Sequence, residues 1–291
     1  MPPLVQYETG GGRATITLDS PHNRNALSSQ LMAELSAALS SAIEDDTVRV
    51  IVLASAGRVF CSGMDLKASG GANPGQPTGS GYPDADRLPV VVFPEVLSRI
   101  WESPTPVIAR VGGPARAGGI GLIAACDIAI AAYSATFAFT EVRLGLVPAV
   151  ISVTVLPRML PRAAHELFLT GEVFDGARAA AAGLVNAAVP DEDLDAAVQR
   201  YVDLLVQGAP GALAATKELL RGGSAGRRGT TGGRGSTEGR GSTGGAGTAA
   251  MAGEFAAMAA LSARHFASAE GQEGIGAFVQ KRPARWVPGV G

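Results

Sequence analysis

Apolar and polar residues alternate near the start of the chain and then recur with a helical period. Two short segments, Leu4–Glu8 and Arg13–Asp19, flank three consecutive glycines, and every second residue of the latter segment is apolar. This pattern predicts a β-hairpin. A leucine or isoleucine then recurs every four residues from Leu31 to Ile43, which predicts a helix that Ser28 caps.

The next part of the chain alternates apolar runs with glycine-bearing loops. The run Val48–Ala54 predicts a strand that ends at a loop over Ser55–Lys67, and the stretch Ala68–Asp86, rich in Gly, Pro, Ser and Asp, predicts a mobile surface loop. The elements predicted after it are a helix over about Val90–Glu102, a strand Pro106–Val111, a glycine-rich turn, a helix over about Gly119–Ala125, and strands Ile128–Ala132 and Thr136–Thr140.

The second half of the chain has a mainly helical pattern, from about Ser152 to Leu220. Helices with no strand between them indicate a region separate from the sheet-rich half. Arg221–Thr248 then breaks the pattern, because it consists largely of Gly, Arg, Ser and Thr. Such a segment buries too little surface to offset the entropy cost of ordering, so we predict a flexible insertion. An apolar helical run resumes at Ala249 and ends over Gly276–Trp286.

Length and composition limit the class of protein without indicating a function. The chain has 291 residues, of which 46% are hydrophobic, and a formal net charge of −2 at pH 7. This charge gives no sign of binding to nucleic acid or to an anionic membrane. The longest apolar runs are too short for a membrane span, and the first residues lack the features of a signal peptide. We expect a cytoplasmic protein in which Cys61 and Cys126 are reduced.

Two glycine-rich loops each follow a predicted strand. They lie within Val59–Lys67 and Val111–Asp127. Small residues let a ligand approach the backbone closely, and unpaired N–H groups at a helix N-terminus carry partial positive charge. We expect Asp65 to cap a helix after the first loop and an N–H near Gly118 to point outward. Taken alone, each loop reads more simply as a generic tight turn, and neither matches a phosphate-binding or dinucleotide-binding motif.

A carboxyl group follows the last predicted strand. Glu141 lies between the end of Thr136–Thr140 and an apolar turn that contains Pro148. Such surroundings remove water from the carboxyl group, which raises its pKa and suits it to transfer protons near neutral pH. The simpler alternative is a surface ion pair between Glu141 and Arg143.

Short motifs in a characteristic order run through nearly the whole chain. They are Pro21 with Asn25-Ala26-Leu27, Phe60-Cys61-Ser62-Gly63-Met64-Asp65-Leu66-Lys67, Ala117-Gly118-Gly119 with Cys126-Asp127-Ile128, Glu141 with Gly145-Leu146-Val147-Pro148, Leu169-Thr170-Gly171, Gly183-Leu184-Val185-Asn186, and Glu270-Gly271 with Ala277-Phe278 and Lys281-Arg282-Pro283. Together these motifs resemble the enoyl-CoA hydratase/isomerase (crotonase) superfamily. The exceptions are Ala68–Asp86 and Arg221–Thr248, which look like insertions.

The resemblance implies an α/β fold with a particular architecture. We expect a crotonase-like spiral of β–β–α repeats over residues 1–200. A C-terminal helical oligomerisation region would follow over 201–291, with the flexible Gly/Arg-rich insertion at 221–248. The resemblance also implies a homotrimer, or a hexamer made of two trimers. The implied partner is an acyl-CoA thioester substrate, with no cofactor beyond its coenzyme A and no metal.

The resemblance also assigns roles to the candidate site residues. The backbone N–H groups of Met64 and Gly118 would form an oxyanion hole for the thioester oxygen, and Glu141 would be the principal acid and base. The residues expected to bind substrate are Met64, Asp65, Leu66, Lys67 and Gly118. The further candidates for contacts with coenzyme A are Arg24, Phe278 and Lys281, for which solvent exposure or helix packing is the alternative.

One departure from the family pattern bears on the reaction. Hydratases of the better-known type carry a second glutamate at the position of Gly121, so this chain is most similar to members with a single glutamate. We therefore expect a hydratase of the methylglutaconyl-CoA type, and we weigh a Δ3,Δ2-enoyl-CoA isomerase below it. Two alternatives remain: a catalytically idle member that binds acyl-CoA, and a nucleic-acid-binding role for the arginines of Arg221–Thr248.

Overall fold

A computed structural model of the chain describes residues 2–65, 89–226 and 258–289. These residues form two compact units, Met1–Val206 and Gln207–Gly291. The first unit contains all the strands that the structure describes, and the described part of the second is helical. The predicted loop Ala68–Asp86 lies outside the described residues, as do residues 227–248 of the predicted insertion.

The larger sheet of the first unit has six strands. They are, in spatial order, β1 (Val5–Gly10), β2 (Arg13–Leu18), β3 (Val50–Ser55), β4 (Val107–Val111), β6 (Ile128–Ala132) and β9 (Ala187–Val189). Strands β1 and β2 form the predicted antiparallel hairpin, and every later pair is parallel. The alternation predicted for β2 is confirmed, because its apolar residues are fully buried and its polar residues are partly exposed.

A smaller sheet of three strands carries part of the candidate site. Its order is β5 (Ala115–Arg116), β7 (Thr136–Ala138) and β8 (Phe174–Asp175), with β5 parallel and β8 antiparallel to β7. The predicted strand Thr136–Thr140 ends early because a 3-10 helix occupies Thr140–Leu144.

The prediction of helices without strands after Ser152 was wrong. Strand β8 lies in that region and pairs with β7, and strand β9 lies there and pairs with β6. Strands of two and three residues are too short to show a period in the sequence. The first unit therefore continues to Val206.

Seven helices cover the sheets of the first unit within the described residues. They are α1 (Ser29–Glu44), α2 (Pro89–Glu102), α3 (Gly118–Ala125), α4 (Ala149–Val155), α5 (Pro161–Thr170), α6 (Gly176–Ala181) and α7 (Leu194–Leu205). The predicted cap of α1 is confirmed, since the Leu31 N–H donates to Ser28 Oγ over 3.2 Å. None of the helices in the described ranges combines the length and the apolar character that a membrane crossing requires.

The described part of the second unit has three helices, α8 (Pro210–Gly226), α9 (residues 258–267) and α10 (Ala269–Val279). Glu270 of α10 joins two of them, because its carboxylate accepts from the Gly211 N–H at the start of α8 over 2.9 Å. Residues Arg221–Gly226, which we predicted as the start of the flexible insertion, are instead the last residues of α8. Extending an established helix costs less than starting a new one, so α8 continues past Leu219 and Leu220 into the glycine-containing residues.

Candidate active site

The two glycine-rich loops lie side by side and are joined through their backbones. The Arg116 N–H donates to Cys61 O over 3.0 Å, and Cys61 forms a parallel bridge with Ala115. Gly63 adopts the left-handed φ of +91°, and a Cβ added to it would lie 3.1 Å from the Ala117 Cβ. A side chain at position 63 would therefore push the loops apart.

The Met64 backbone faces away from the segment that supports the first loop. The Leu27 N–H donates to Gly63 O over 2.8 Å, and Leu27 O accepts from the Asp65 N–H over 3.3 Å. Met64 lies between these two bonds and forms a parallel bridge with Leu27, so its own N–H and C=O point to the opposite side. Within the described ranges, the Met64 N–H has no hydrogen-bond acceptor.

The Gly118 N–H is the first amide of helix α3, where amides have no acceptor within the helix. Ala117 before it has φ 48° and ψ −117°, which is uncommon for a residue with a side chain. The Ala117 N–H donates to Ala138 O over 3.2 Å, whereas the Gly118 N–H has no acceptor among the residues that the structure describes. A Cβ at Gly118 would lie 2.7 Å from Leu27 Cδ1 and 3.3 Å from Phe93 Cζ, so a side chain at this position would require the Leu27 side chain to move.

Strand β7 and the 3-10 helix that follows it position Glu141. Phe139, between them, is fully buried, and its ring centroid lies 4.1 Å from that of Phe168. The 3-10 helix is followed by Gly145, which adopts φ 71°, and the Leu146 N–H donates to Glu141 O over 2.9 Å. An aromatic contact and a closed turn thus hold the backbone on both sides of Glu141.

Glu141 is partly buried, and one oxygen of its carboxyl group is removed from water. Burial raises its pKa, and a hydrogen bond from its own backbone N–H opposes the rise. Glu141 Oε2 is buried and has no hydrogen-bond partner among the residues that the structure describes. The alternative, a surface ion pair between Glu141 and Arg143, does not form: no ion pair of Glu141 occurs in the described part of the chain. The Arg143 side chain is exposed.

Met64, Gly118 and Glu141 line one cavity of about 300 Å³. The structure therefore brings together the three residues that the sequence analysis gave a chemical role. The other polar lining residues are Ser62 and Thr140, and the other apolar ones are Phe93, Ala117, Leu144, Leu146, Val147, Pro148, Ala149, Val150 and Ile151. Such an apolar cavity with two unpaired N–H groups and one buried carboxyl group is suited to polarise a carbonyl oxygen and to move a proton.

Comparison with known proteins decides the family. Residues 8–234 match the family described as Enoyl-CoA hydratase/isomerase. This chain belongs to that family. It is 33% identical to the "Probable enoyl-CoA hydratase" of Rhodobacter capsulatus over 283 residues, and this alignment covers 96% of each chain. It is also 35% identical over 219 residues to the carnitinyl-CoA dehydratase of Citrobacter koseri, covering 75% of this chain and 80% of that protein.

Solved structures of the enoyl-CoA hydratase/isomerase family share the fold. The crystal structure of an enoyl-CoA hydratase/isomerase from Marinobacter aquaeolei matches with a TM-score of 0.79 and 31% identity, over 98% of this chain and 99% of that chain. The crotonase fold that the sequence predicted is therefore confirmed, and the chain is an enzyme of the hydratase/isomerase family.

Of the remaining candidates in the first unit, Asp65 and Arg24 are not among the residues that line the cavity, and Leu66 and Lys67 lie outside the described residues. Asp65 follows Met64, and its carboxylate accepts from Asn23 Nδ2 over 3.3 Å. Whether Asp65 caps a helix depends on the residues after it, which include Leu66 and Lys67 and lie outside the described ranges. Arg24 is exposed, and its contact with the first loop is made by its carbonyl oxygen, which accepts from the Ser62 N–H over 3.1 Å.

The two C-terminal candidates belong to the second unit. The Phe278 side chain is 84% exposed, and Lys281 has a left-handed φ of 52° in the turn after α10. Their assignment to coenzyme A stays a prediction.

Two side chains of the cavity wall were missed in the sequence analysis. Phe93 of α2 and Ile151 of α4 are each 3% exposed and line the cavity. Neither belongs to a glycine-rich motif. The apolar period of α2, in which Phe93, Leu97 and Ile100 share a buried face, is the signal that would have found Phe93.

The described residues offer no alternative chemistry of cysteine or metal at this site. Cys61 and Cys126 are buried, and neither forms a disulfide within the described ranges, in agreement with the prediction that both are reduced. Burial raises the pKa of the Cys61 thiol to about 12, so it is protonated and unreactive near neutral pH. Within the described ranges, no group of three or more His, Cys, Asp or Glu side chains is placed to hold a metal ion.

Proposed function

We propose that this chain is an enoyl-CoA hydratase that adds water across the double bond of a 2-enoyl-CoA. One observation carries the proposal: Met64 and Gly118, whose N–H groups have no acceptor among the described residues, line one apolar cavity together with Glu141. The relatives named as enoyl-CoA hydratases support the same reaction.

The two amides would stabilise the charge that develops on the thioester oxygen. As the oxygen of water bonds to C3, the electrons of the double bond move toward the carbonyl and form an enolate. Both N–H groups then donate to an oxygen that carries negative charge, where each bond is stronger than in the ground state. Loss of one such donor typically costs about 3 kcal/mol.

Glu141 would supply both proton transfers. The carboxylate accepts a proton from the attacking water, and the resulting carboxylic acid donates a proton to C2 as the enolate returns to a thioester. The product gains one water, and Glu141 ends in its starting form. Burial raises the pKa of Glu141, which brings its two forms closer in energy near neutral pH and favours both steps.

A Δ3,Δ2-enoyl-CoA isomerase is the second candidate. Glu141 is the single carboxyl group among the described residues that line the cavity. An isomerase needs only one carboxyl group, which would take a proton from C2 and return it to C4. The same oxyanion hole would serve this reaction.

The wall of the cavity favours an apolar acyl group. No Lys, Arg or His occurs among the described residues that line it, and a buried carboxylate without a cationic partner is costly. A substrate of the methylglutaconyl type carries an additional carboxylate, so its binding would need a cation from outside this set. We therefore place short or branched apolar enoyl groups ahead of it.

A homotrimer or hexamer stays part of the proposal. Large apolar side chains of α5 and its flanks are exposed on the first unit, namely Leu160, Leu169 and Val173. Exposed apolar residues of this kind are typical of surfaces that an oligomer buries. Sedimentation velocity of the purified chain would show a species of three or six chains.

A panel of enoyl-CoA thioesters distinguishes the candidate reactions. A hydratase converts a 2-enoyl-CoA to a product heavier by one water, with loss of the conjugated-enoyl absorbance. An isomerase converts a 3-enoyl-CoA to the 2-enoyl isomer of unchanged mass. Tight binding of acyl-CoA with neither conversion would contradict both and leave a catalytically idle member of the family.

A further inference from the structure

Two side chains from different helices cover the glycine face of helix α3. Gly118 and Gly121 lie nearly one turn apart on that face. Phe93 Cζ lies 3.3 Å from the position of a Cβ on Gly118 and 3.6 Å from that of a Cβ on Gly121. Ile151 Cγ2 lies 2.6 Å from the Gly121 position. The Ile151 side chain therefore occupies the space that a side chain at position 121 would need.

A buried polar contact fixes Ile151 in this place. The hydroxyl group of Thr154, one turn further along α4, lies 3.2 Å from Gly121 O and 3.2 Å from Ile151 O. Thr154 and Ile151 are each 3% exposed. This contact ties α4 to α3 at the level of Gly121, so the isoleucine has little freedom to move aside.

The same two side chains line the candidate active site. Phe93 and Ile151 are both part of the wall of the 300 Å³ cavity that holds Met64, Gly118 and Glu141. Phe93 and Ile151 thus lie between the cavity and the α3 backbone at Gly121. An acyl chain whose thioester oxygen is held at Gly118 would contact these two side chains.

We propose that Ile151, supported by Phe93, is a specificity-determining residue that limits the depth of the acyl pocket. The inference rests on the proposed function, because it takes the cavity to bind the acyl part of a CoA thioester. Replacing Ile151 with alanine removes three side-chain carbon atoms and opens the space over Gly121. Room for additional methylene groups then becomes available in the cavity that Glu141 also lines, and longer acyl chains gain in transition-state binding.

The test compares two substrates in matched variants. For wild type, Ile151→Ala and the control Val153→Ala, kcat/KM is measured with a four-carbon and a ten-carbon 2-enoyl-CoA. We expect Ile151→Ala to raise the ratio of long-chain to short-chain kcat/KM by about tenfold or more, since one methylene in an apolar pocket changes kcat/KM by roughly 10–200-fold. Val153 lies on the same helix and is 69% exposed, so its variant keeps the wild-type ratio. An unchanged ratio in Ile151→Ala, with an active wild type, overturns the inference.

A binding measurement separates this inference from the proposed reaction. The dissociation constants of butanoyl-CoA and decanoyl-CoA are measured by calorimetry for the same three proteins. If wild type binds both thioesters but converts no enoyl-CoA, the proposed reaction fails, and the relative affinity for the two thioesters still tests the pocket depth. We expect Ile151→Ala to bind decanoyl-CoA more tightly, relative to butanoyl-CoA, than wild type does. If wild type binds neither, both proposals are overturned.

A stability measurement tests the contact itself without any ligand. Gly121→Ala places a Cβ against Ile151 Cγ2 in the wild-type background, whereas in the Ile151→Ala background that atom is gone. We expect Gly121→Ala to lower the unfolding midpoint clearly in the first background and much less in the second. Equal losses in both backgrounds would overturn the placement of Ile151 over Gly121.

Discussion

Gly63 lies directly against Ala117: a Cβ at Gly63 would be 3.1 Å from the Ala117 Cβ and 3.2 Å from Arg116 O. These two residues immediately precede Met64 and Gly118, whose amides we propose as the oxyanion hole. Both have positive φ, +91° at Gly63 and 48° at Ala117. The close contact of the two loops therefore sets the spacing of the two proposed donors.

A side chain at position 63 should damage catalysis more than folding. Gly63→Ala introduces a Cβ at the contact with Ala117 and places it on a backbone with φ +91°, which is strained for a side chain, so the loop must shift to relieve both. A displacement that reaches about 1 Å in an active site can lower the rate about 100-fold. We expect kcat to fall by about that factor. Gly57→Ala is the control, because Gly57 also has a positive φ, 74°, but open space around its Cβ position. Equal kcat values for the two variants would show that the loop contact does not set the donor geometry.

Removal of the Glu141 carboxyl group should abolish most of the activity and leave binding intact. Glu141→Gln keeps the size of the side chain but can neither accept nor return the proton. A general acid–base group typically contributes about 10²–10⁴-fold, so we expect a loss of that size in kcat with little change in the dissociation constant for acyl-CoA. Glu172→Gln, at an exposed carboxyl group, is the matched control. Wild-type kcat in Glu141→Gln would remove Glu141 from the mechanism.

The buried carboxyl group should also leave a signature in stability. Burial raises the pKa of Glu141 above its ordinary value of 4.5, so the folded state binds this proton more tightly than the unfolded chain does. At pH values above the folded-state pKa, the ionised Glu141 therefore lowers the free energy of unfolding. This loss of stability disappears as the pH falls to 4.5 and below, where Glu141 is protonated in both states.

Glu141→Gln tests this linkage. We expect the variant to have a higher free energy of unfolding than wild type at mildly alkaline pH, with the gain declining as the pH falls through the folded-state pKa of Glu141. Urea unfolding at a series of pH values measures it. Glu172→Gln again serves as the control, since it removes the same charge without removing a buried one. A gain that is independent of pH, or one that grows toward acid, would contradict the expectation.

Asn25 should be important for stability through the loop that leads to Met64. Its amide group donates to Val59 O over 2.8 Å and to Ala56 O over 3.2 Å, and it accepts from the Ser20 N–H over 2.7 Å. Asn25→Ala leaves these backbone groups without the side chain that bonds them, so we expect the free energy of unfolding to fall by about 2–4 kcal/mol. Gln199→Ala, at an exposed amide, should cost much less. A similar small change in both would show that Asn25 does not hold the loop.

The sequence was informative where a short motif carries the chemistry and less so where packing does. Met64, Gly118 and Glu141 each lie in a continuous stretch with its own composition, so they could be singled out before their positions were known. The apolar period of α2 marks Phe93 as buried but does not place it at the cavity, because Phe93 and Ile151 come from α2 and α4 and meet only when both helices pack on α3. Their role at the cavity therefore depends on a tertiary contact.

Strand β9 shows the same limit at the level of the fold. Ala187–Val189 is a run of small apolar residues in a helix-rich region, and it is a strand because β6 offers a free parallel edge beside it. The α8 residues Arg221–Gly226 show the converse, since their composition indicated a flexible segment and an adjoining helix extends through them.

A crystal structure of Glu141→Gln with a bound 2-enoyl-CoA tests the central claim most directly. The variant keeps the substrate unconverted, so the position of the thioester oxygen can be read. We predict that this oxygen lies about 2.7–3.1 Å from both the Met64 and the Gly118 backbone nitrogen atoms, with the residue 141 side chain next to the double bond. A thioester oxygen bonded to other groups, or to only one of the two amides, would contradict the account.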